Sequence, residues 1–174
     1  MRVASINIWG LLVSKDRRAR IEALARHLLE LADAEAFDIV AVQELWVARD
    51  FQWLKQTLAP RYPHAFYFRS GVMGSGLATF SRFPIRDAAF QRFQLNGKAQ
   101  RPLDGDWWGG KGVGLTRIAI GPSTIVNFYN THLHAEYDKA AQPYLGHRLC
   151  QTDELLRFVA ATSAPASAST AGSS

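Results

Sequence analysis

A chain of 174 residues, 48% of them hydrophobic, has the material for one domain of ordinary size with a real core. A net charge of +5 and a pI of about 9.7 favour phosphate-bearing or anionic partners, without separating nucleic acid from a lipid surface. The single Cys150 excludes an intramolecular disulfide framework; no apolar run is long enough to span a bilayer, and the opening MRVASINIWG reads as a strand rather than a secretory signal.

In chain order, residues 2–8 read as a β-strand with Asn7 at its end. Ser14 or Asp16 is placed to cap a helix running to about Ala34, with Ile21, Leu24, Leu28 and Leu31 on one face and Arg17, Arg18, Arg20 and Arg26 mostly off it. Residues 37–42 form the next apolar run, FDIVAV, and Glu44 follows it directly. Asp50 caps or opens a helix through Leu58, closed by Pro60. Short strands are then expected at 64–69, 76–81 and 88–95, separated by Gly- and Pro-bearing turns. Residues 97–112 read as a Gly- and aromatic-rich loop, and 113–120 with 124–133 as a hairpin around Gly121-Pro122. A last helix covers about 139–161, with Pro143 in its first turn and Cys150 read as a small buried group. The Ala/Ser/Thr run at 163–174 has no core-forming residues and is expected to be disordered, which divides the chain into a domain at 1–162 and a tail at 163–174.

Glu44 carries the most chemical information. Strand interiors exclude charge unless it is paired or metal-bound, and a carboxylate at a strand end sits at the sheet rim, where loops build sites. Asn7 repeats the pattern, and two oxygen donors at two strand ends suit a hard cation such as Mg²⁺. A lone glutamate after a strand is equally what a solvated loop supplies. In THLHAEY (131–137), His132, His134 and Glu136 alternate, so a zinc set is conceivable; His132 as a phosphate-binding or acid/base group at a strand end is the more economical reading, beside a plain surface pair. GDWWGGKG (105–112) nearly matches a phosphate-binding P-loop but lacks its Ser/Thr and precedes a strand rather than a helix, so nucleotide binding is rejected there. Asp106 and Lys111 are placed to pair across that loop, and Trp107 and Trp108 are costly to expose.

Together, NIWG (7–10), AVQELW (41–46), RSGVMGSGLATFSRFPI (69–85), GDWWGGKGVG (105–114), NTHLHAEY (130–137) and the His147-Arg148…Gln151 pattern resemble the N-terminal part of the neutral sphingomyelinases, Mg²⁺-dependent enzymes of the endonuclease/exonuclease/phosphatase superfamily. The resemblance implies a partial two-sheet α/β sandwich of the DNase I-like type, lacking its C-terminal portion. It also implies roles: Glu44 as the Mg²⁺ ligand, Asn7 near metal and phosphate, His132 as a catalytic contact to the scissile phosphate, and Asp106 with Lys111 as a regulatory switch. The implied substrate is sphingomyelin or a related sphingophospholipid at an anionic membrane surface, inside the cell, with no stable nucleic-acid complex.

Two further motifs of that family, Gly-Asp-x-Asn and Ser-Asp-His, do not occur in this sequence, and the second carries the general base. The chain alone is therefore expected to be essentially inactive and poorly soluble, with part of a sheet uncovered. Two other readings stay open: a nuclease of the same superfamily, and a non-catalytic module that binds anionic membranes through basic residues and Trp107/Trp108.

Overall fold

The first two strands, β1 (Val3–Asn7) and β2 (Ile39–Gln43), lie parallel, with Asn7 opposite Gln43. Parallel neighbours need a crossover, and helix α1 (Arg17–Glu30) supplies it. Both strands therefore end at the same rim of the sheet. The computed structural model describes residues 1–70, 74–95, 110–134 and 144–163. After helix α2 (Ala48–Leu58) come β3 (His64–Phe68) and β4 (Leu77–Ser81), which complete a four-stranded sheet in the order β1-β2-β4-β3, antiparallel from β2 onward. Strands β5 (Ile85–Arg92), β6 (Gly112–Ala119) and β7 (Ile125–Thr131) form a second, antiparallel sheet. Helix α3 (Leu145–Ser163) packs beside it, with Asn127 Nδ2 donating to Thr162 O at 3.2 Å and Tyr129 meeting Phe158 edge to face. This is the two-sheet α/β sandwich expected.

One face of the first sheet carries the main apolar core. Val40 and Val42 of β2 and their register partners Phe80 and Ala78 of β4 pack under Ile21, Ala25 and Leu28 of α1 and Phe51, Leu54 and Leu58 of α2. The helical residues recur at the three- and four-residue spacing that lines one helix face. Alternation sends Ile39, Ala41 and Gln43 to the opposite face, toward the second sheet, so β2 is buried on both sides. That inter-sheet layer is more polar: Gln43, Thr79, Thr116 and Asn130 are all buried.

Several boundaries differ from the sequence reading. Helix α1 starts at Arg17 and stops at Glu30, short of Ala34. Asp16 holds its N-cap position in the left-handed region (φ 53°) without a side-chain cap bond, and the Ser14 hydroxyl is spent on Trp9 O and Leu11 O. Helix α2 opens at Ala48 with Val47 at the cap, and Asp50, inside the first turn, is buried against the guanidinium of Arg17. The fifth strand begins at Ile85 and ends at Arg92, and the 113–133 hairpin forms as read but closes at Thr131. Cys150 is exposed, contrary to the buried role expected of it: the buried residue on that side of α3 is its neighbour Gln151. The start expected for the last helix, residues 139–143, and residues 164–174 of the tail lie outside the described residues; Ser163, expected to open the disordered tail, is instead the last residue of α3, which runs past the expected end near 161.

Candidate active site at the strand ends

Three chain segments meet where β1 and β2 end. Ile8 N donates to Gln43 O (3.1 Å) and Gly10 N to Glu44 O (3.0 Å), so the backbone after β1 stays zipped to the backbone after β2 past the last ladder rung. Gly10 is required by this approach: a Cβ there would fall 2.3 Å from Glu44 O. Glu44 itself has φ 59°, a conformation that costs a non-glycine residue about 1 kcal/mol or more. It turns the side chain out of the strand alternation and toward Asn7, whose Nδ2 donates to Glu44 Oε1 at 2.7 Å. Asn7 Oδ1 in turn accepts from Trp9 N at 2.9 Å, an Asx-type turn that fixes the amide.

The second sheet contributes His132, one residue beyond β7. Its Nε2 lies 3.8 Å from the same Glu44 Oε1. Asn7, Glu44 and His132 thus converge on one partly exposed spot at the mouth of the sandwich, from strand ends far apart in sequence. The side-chain bonds of Glu44 among the described residues all run through Oε1, and the side chain keeps 16% exposure. A carboxylate with a side-chain amide next to it, the amide presenting its N–H to Glu44 and its carbonyl to Trp9 N, offers oxygen rather than sulfur donors and so suits Mg²⁺ better than a soft metal. Among the described residues no three His, Cys, Asp or Glu side chains cluster. A cation here would rely on few protein ligands, with substrate oxygens and water completing its shell, as Mg²⁺ sites commonly do.

What aligns the two sheets at this mouth was not visible in the sequence. Asn130, one rung before Thr131, is buried and spans the gap. Its Nδ2 donates to Val42 O (3.2 Å) and Ala78 O (3.0 Å), and its Oδ1 accepts from Gln43 Nε2 (2.8 Å). Gln43 also donates to Ser5 Oγ at 3.1 Å. This amide pair ties β7 to β2 and β4 immediately below Glu44 and His132. Beyond His132 the chain leaves the strand. His134 is buried against the ring of Tyr144 (centroids 4.0 Å apart), and its N–H donates to Gln151 Oε1 at 2.9 Å, so it does not share an open face with His132. Gln151 Nε2 donates to Leu95 O at 2.8 Å. Near Glu44, the Tyr67 hydroxyl donates to Trp46 O at 3.2 Å, and burial raises its pKa above the ordinary 10.0.

Lys111 is 1% exposed, and its Nζ donates to Leu133 O at 2.9 Å, next to the His132 segment. Asp106, its expected partner in a switch, lies outside the described residues, as do Trp107, Trp108 and Glu136.

The model of the Endonuclease/Exonuclease/phosphatase family matches residues 4–167. The chain is 41% identical over 164 residues to the Homo sapiens protein named sphingomyelin phosphodiesterase 2, covering 94% of this chain and 38% of that one. It is also 41% identical over 152 residues to the Schizosaccharomyces pombe inositol phosphosphingolipids phospholipase C, covering 87% and 35%. The chain therefore spans a little over a third of the length of these curated relatives. Among solved structures, sphingomyelinase C from Streptomyces griseocarneus superposes with a TM-score of 0.70 at 22% identity, covering 94% of this chain and 60% of that one. A Staphylococcus aureus beta toxin mutant with bound magnesium ions superposes at 0.73 and 20% identity, covering 92% and 59%. At that identity these two structures establish the fold alone.

Proposed function

This chain belongs to the endonuclease/exonuclease/phosphatase family, and on that footing we propose that it carries the metal- and phosphate-binding half of a phosphodiesterase acting on sphingophospholipids. The reaction is hydrolysis of the bond that releases a phosphorylated head group and leaves ceramide. The observation that supports this most is the convergence of Asn7 and His132 on Glu44 Oε1. The names of the curated relatives, sphingomyelin phosphodiesterase and inositol phosphosphingolipids phospholipase C, share a sphingolipid backbone and differ in head group, so the substrate is given as the class.

Glu44 is the residue assigned to Mg²⁺. Asn7 orients it through the 2.7 Å bond and lends the site a second oxygen donor. When bound, the cation neutralises a phosphoryl oxygen and the leaving alkoxide. His132 presents Nε2 to the same space and donates to the scissile phosphate, favouring the charge that builds there. Water delivers the nucleophile, and its proton requires a base. The family's base lies in a Ser-Asp-His segment that residues 1–174 do not contain, so turnover by these residues alone is expected to fall by a factor of about 10²–10⁴ or more. Lys111, buried beside Leu133, holds the segment that follows His132; its pairing with Asp106 as a regulatory switch is part of the same proposal.

The test is a chimera that joins this chain to the C-terminal portion of the Schizosaccharomyces pombe relative. Mg²⁺-dependent head-group release from sphingomyelin or inositol phosphosphingolipid in mixed micelles, abolished by Glu44→Ala, is the expected result. A chimera that folds and cleaves plasmid DNA but not these lipids would replace the reading with a nuclease.

A further inference from the structure

The segment between β1 and α1 presents apolar side chains to solvent at the edge of the site. Val13 is 91% exposed, Leu12 67% and Trp9 54%. Isolated exposed apolar residues are ordinary, but three within five positions on one short loop are not. The loop is also fastened, not slack. Arg20 reaches back from α1 to Ile8 O (3.2 Å), Trp9 O (2.8 Å), Ser14 Oγ (3.0 Å) and Lys15 O, and its guanidinium lies 5.0 Å from the centre of the Trp9 ring. Ser14 Oγ donates within the same turn, and Gly10 locks the loop to the backbone of Glu44. The apolar tips are therefore held outward on a preformed scaffold rather than left over from a floppy connection.

Charge at the base of the loop has one dominant sign. Residues 15–20 carry Lys15, Arg17, Arg18 and Arg20 against Asp16 alone; Lys15 is exposed, Arg17 is engaged by Asp50, and Arg18, though exposed, pairs with Glu22 at 2.6 Å and lies over the Trp53 ring. Apolar tips above a basic collar match the layering of a phospholipid surface, where acyl chains lie beneath anionic phosphates. A protein partner fits less well, because a stable interface needs about 800 Å² from each side and three side chains supply only a fraction of that. A few rigid apolar side chains with basic neighbours suffice for shallow interfacial insertion.

We infer that the 9–15 loop is a lipid-interface wedge: Trp9, Leu12 and Val13 enter the outer acyl region of a phospholipid bilayer, Lys15 rests on its phosphates, and the Asn7–Glu44–His132 mouth is thereby held at head-group depth. The inference rests on the lipid phosphodiesterase reading for its purpose, and on loop geometry for its location. Because the wedge is preformed, docking spends little on ordering it.

The test uses the full 174-residue chain and sucrose-loaded vesicles of phosphatidylcholine and sphingomyelin with about one-fifth phosphatidylserine, a charge content near that of an anionic leaflet. Leu12→Glu/Val13→Glu is expected to lower the vesicle-bound fraction about tenfold or more while leaving the melting temperature unchanged, since both side chains already face water. Leu149→Glu, at a similarly exposed apolar site on α3, is expected to bind like the parent. In vesicles with brominated acyl chains, the parent's tryptophan fluorescence is quenched, and Trp9→Phe removes that quenching. Equal binding by parent and double variant, an equal loss in Leu149→Glu, or a change of solution mass in the double variant with vesicle binding intact would overturn the inference; the last would mark a contact between copies. Binding is read without turnover. Loop-dependent binding without head-group release from the chimera counts against the proposed function alone, and release with loop-independent binding counts against the wedge alone.

Discussion

The two faces of the four-stranded sheet are built from different materials, and the division corresponds to a division of labour. Toward α1 and α2 the sheet presents Val40, Val42, Ala78 and Phe80 to Ile21, Leu28, Phe51 and Leu54, an apolar layer with little directional preference. Toward the second sheet it presents Gln43 and Thr79 among the apolar Ile39 and Ala41, and it receives Asn130 and Thr116. Burial of each large apolar side chain on the first face contributes about 1.5–3 kcal/mol, and the layer tolerates small shifts. Hydrogen bonds on the second face contribute less each but fix geometry, because a displaced amide leaves buried donors and acceptors unpaired. The face that holds the fold together is apolar. The face that sets the distance between Glu44 and His132 is mixed, and its buried amides lie directly beneath them.

That contrast can be broken from either side. Leu54→Ala, on the helical face, is expected to cost about 3 kcal/mol by cavity formation, read as a shift of the urea midpoint, with the cation affinity of the remaining folded protein unchanged. Asn130→Ala is expected to cost about 2 kcal/mol, since it removes the side-chain donor to the carbonyls of Val42 and Ala78 and leaves Gln43 Nε2 with Ser5 Oγ alone. Unlike the leucine change, it should also weaken cation binding, because the strand ends that carry Glu44 and His132 lose their tie. Equal effects of the two variants on affinity would erase the distinction between the faces.

A smaller effect lies in alkaline pH. Burial raises the pKa of Tyr67 above 10.0, so the unfolded chain gives up that proton first. The stabilisation from keeping the hydroxyl protonated is complete below pH 10 and falls as pH rises through the folded pKa. Tyr67→Phe should flatten the corresponding decline in thermal midpoint. The smallest change expected is Tyr62→Phe, within about 0.5 kcal/mol of the parent, because the buried Tyr62 hydroxyl has no hydrogen-bond partner among the described residues.

How much of this was legible in the sequence follows the same line. The apolar face was readable, because Ile21, Leu24 and Leu28, or the run from Ile39 to Val42, carry their periodicity locally. Asn7 and Glu44 were readable as candidate site residues, because each is a polar group set against a strand end, and the structure brings the two together. Helix ends were less so. Ser14 looks like a cap, but its hydroxyl serves the loop that Arg20 organises, and Asp16 sits in a left-handed conformation that leaves its carboxylate unused. Cys150 looked buried by residue type, yet one step of helical rotation gives that place to Gln151. The Gln43–Asn130 bond joins residues 87 apart and has no local signature at all. Interactions between sheets depend on how the sheets stack, which no window of sequence encodes.

The central claim, that Asn7, Glu44 and His132 form one site for a divalent cation and a phosphate, is tested most directly by titrating Mn²⁺ as a paramagnetic stand-in for Mg²⁺ into the isotope-labelled chain. The account predicts that the side-chain amide of Asn7 and the ring of His132 broaden together at the lowest additions, that Mg²⁺ reverses the broadening, and that Glu44→Gln abolishes it. Broadening that begins elsewhere, or that survives Glu44→Gln unchanged, would contradict it.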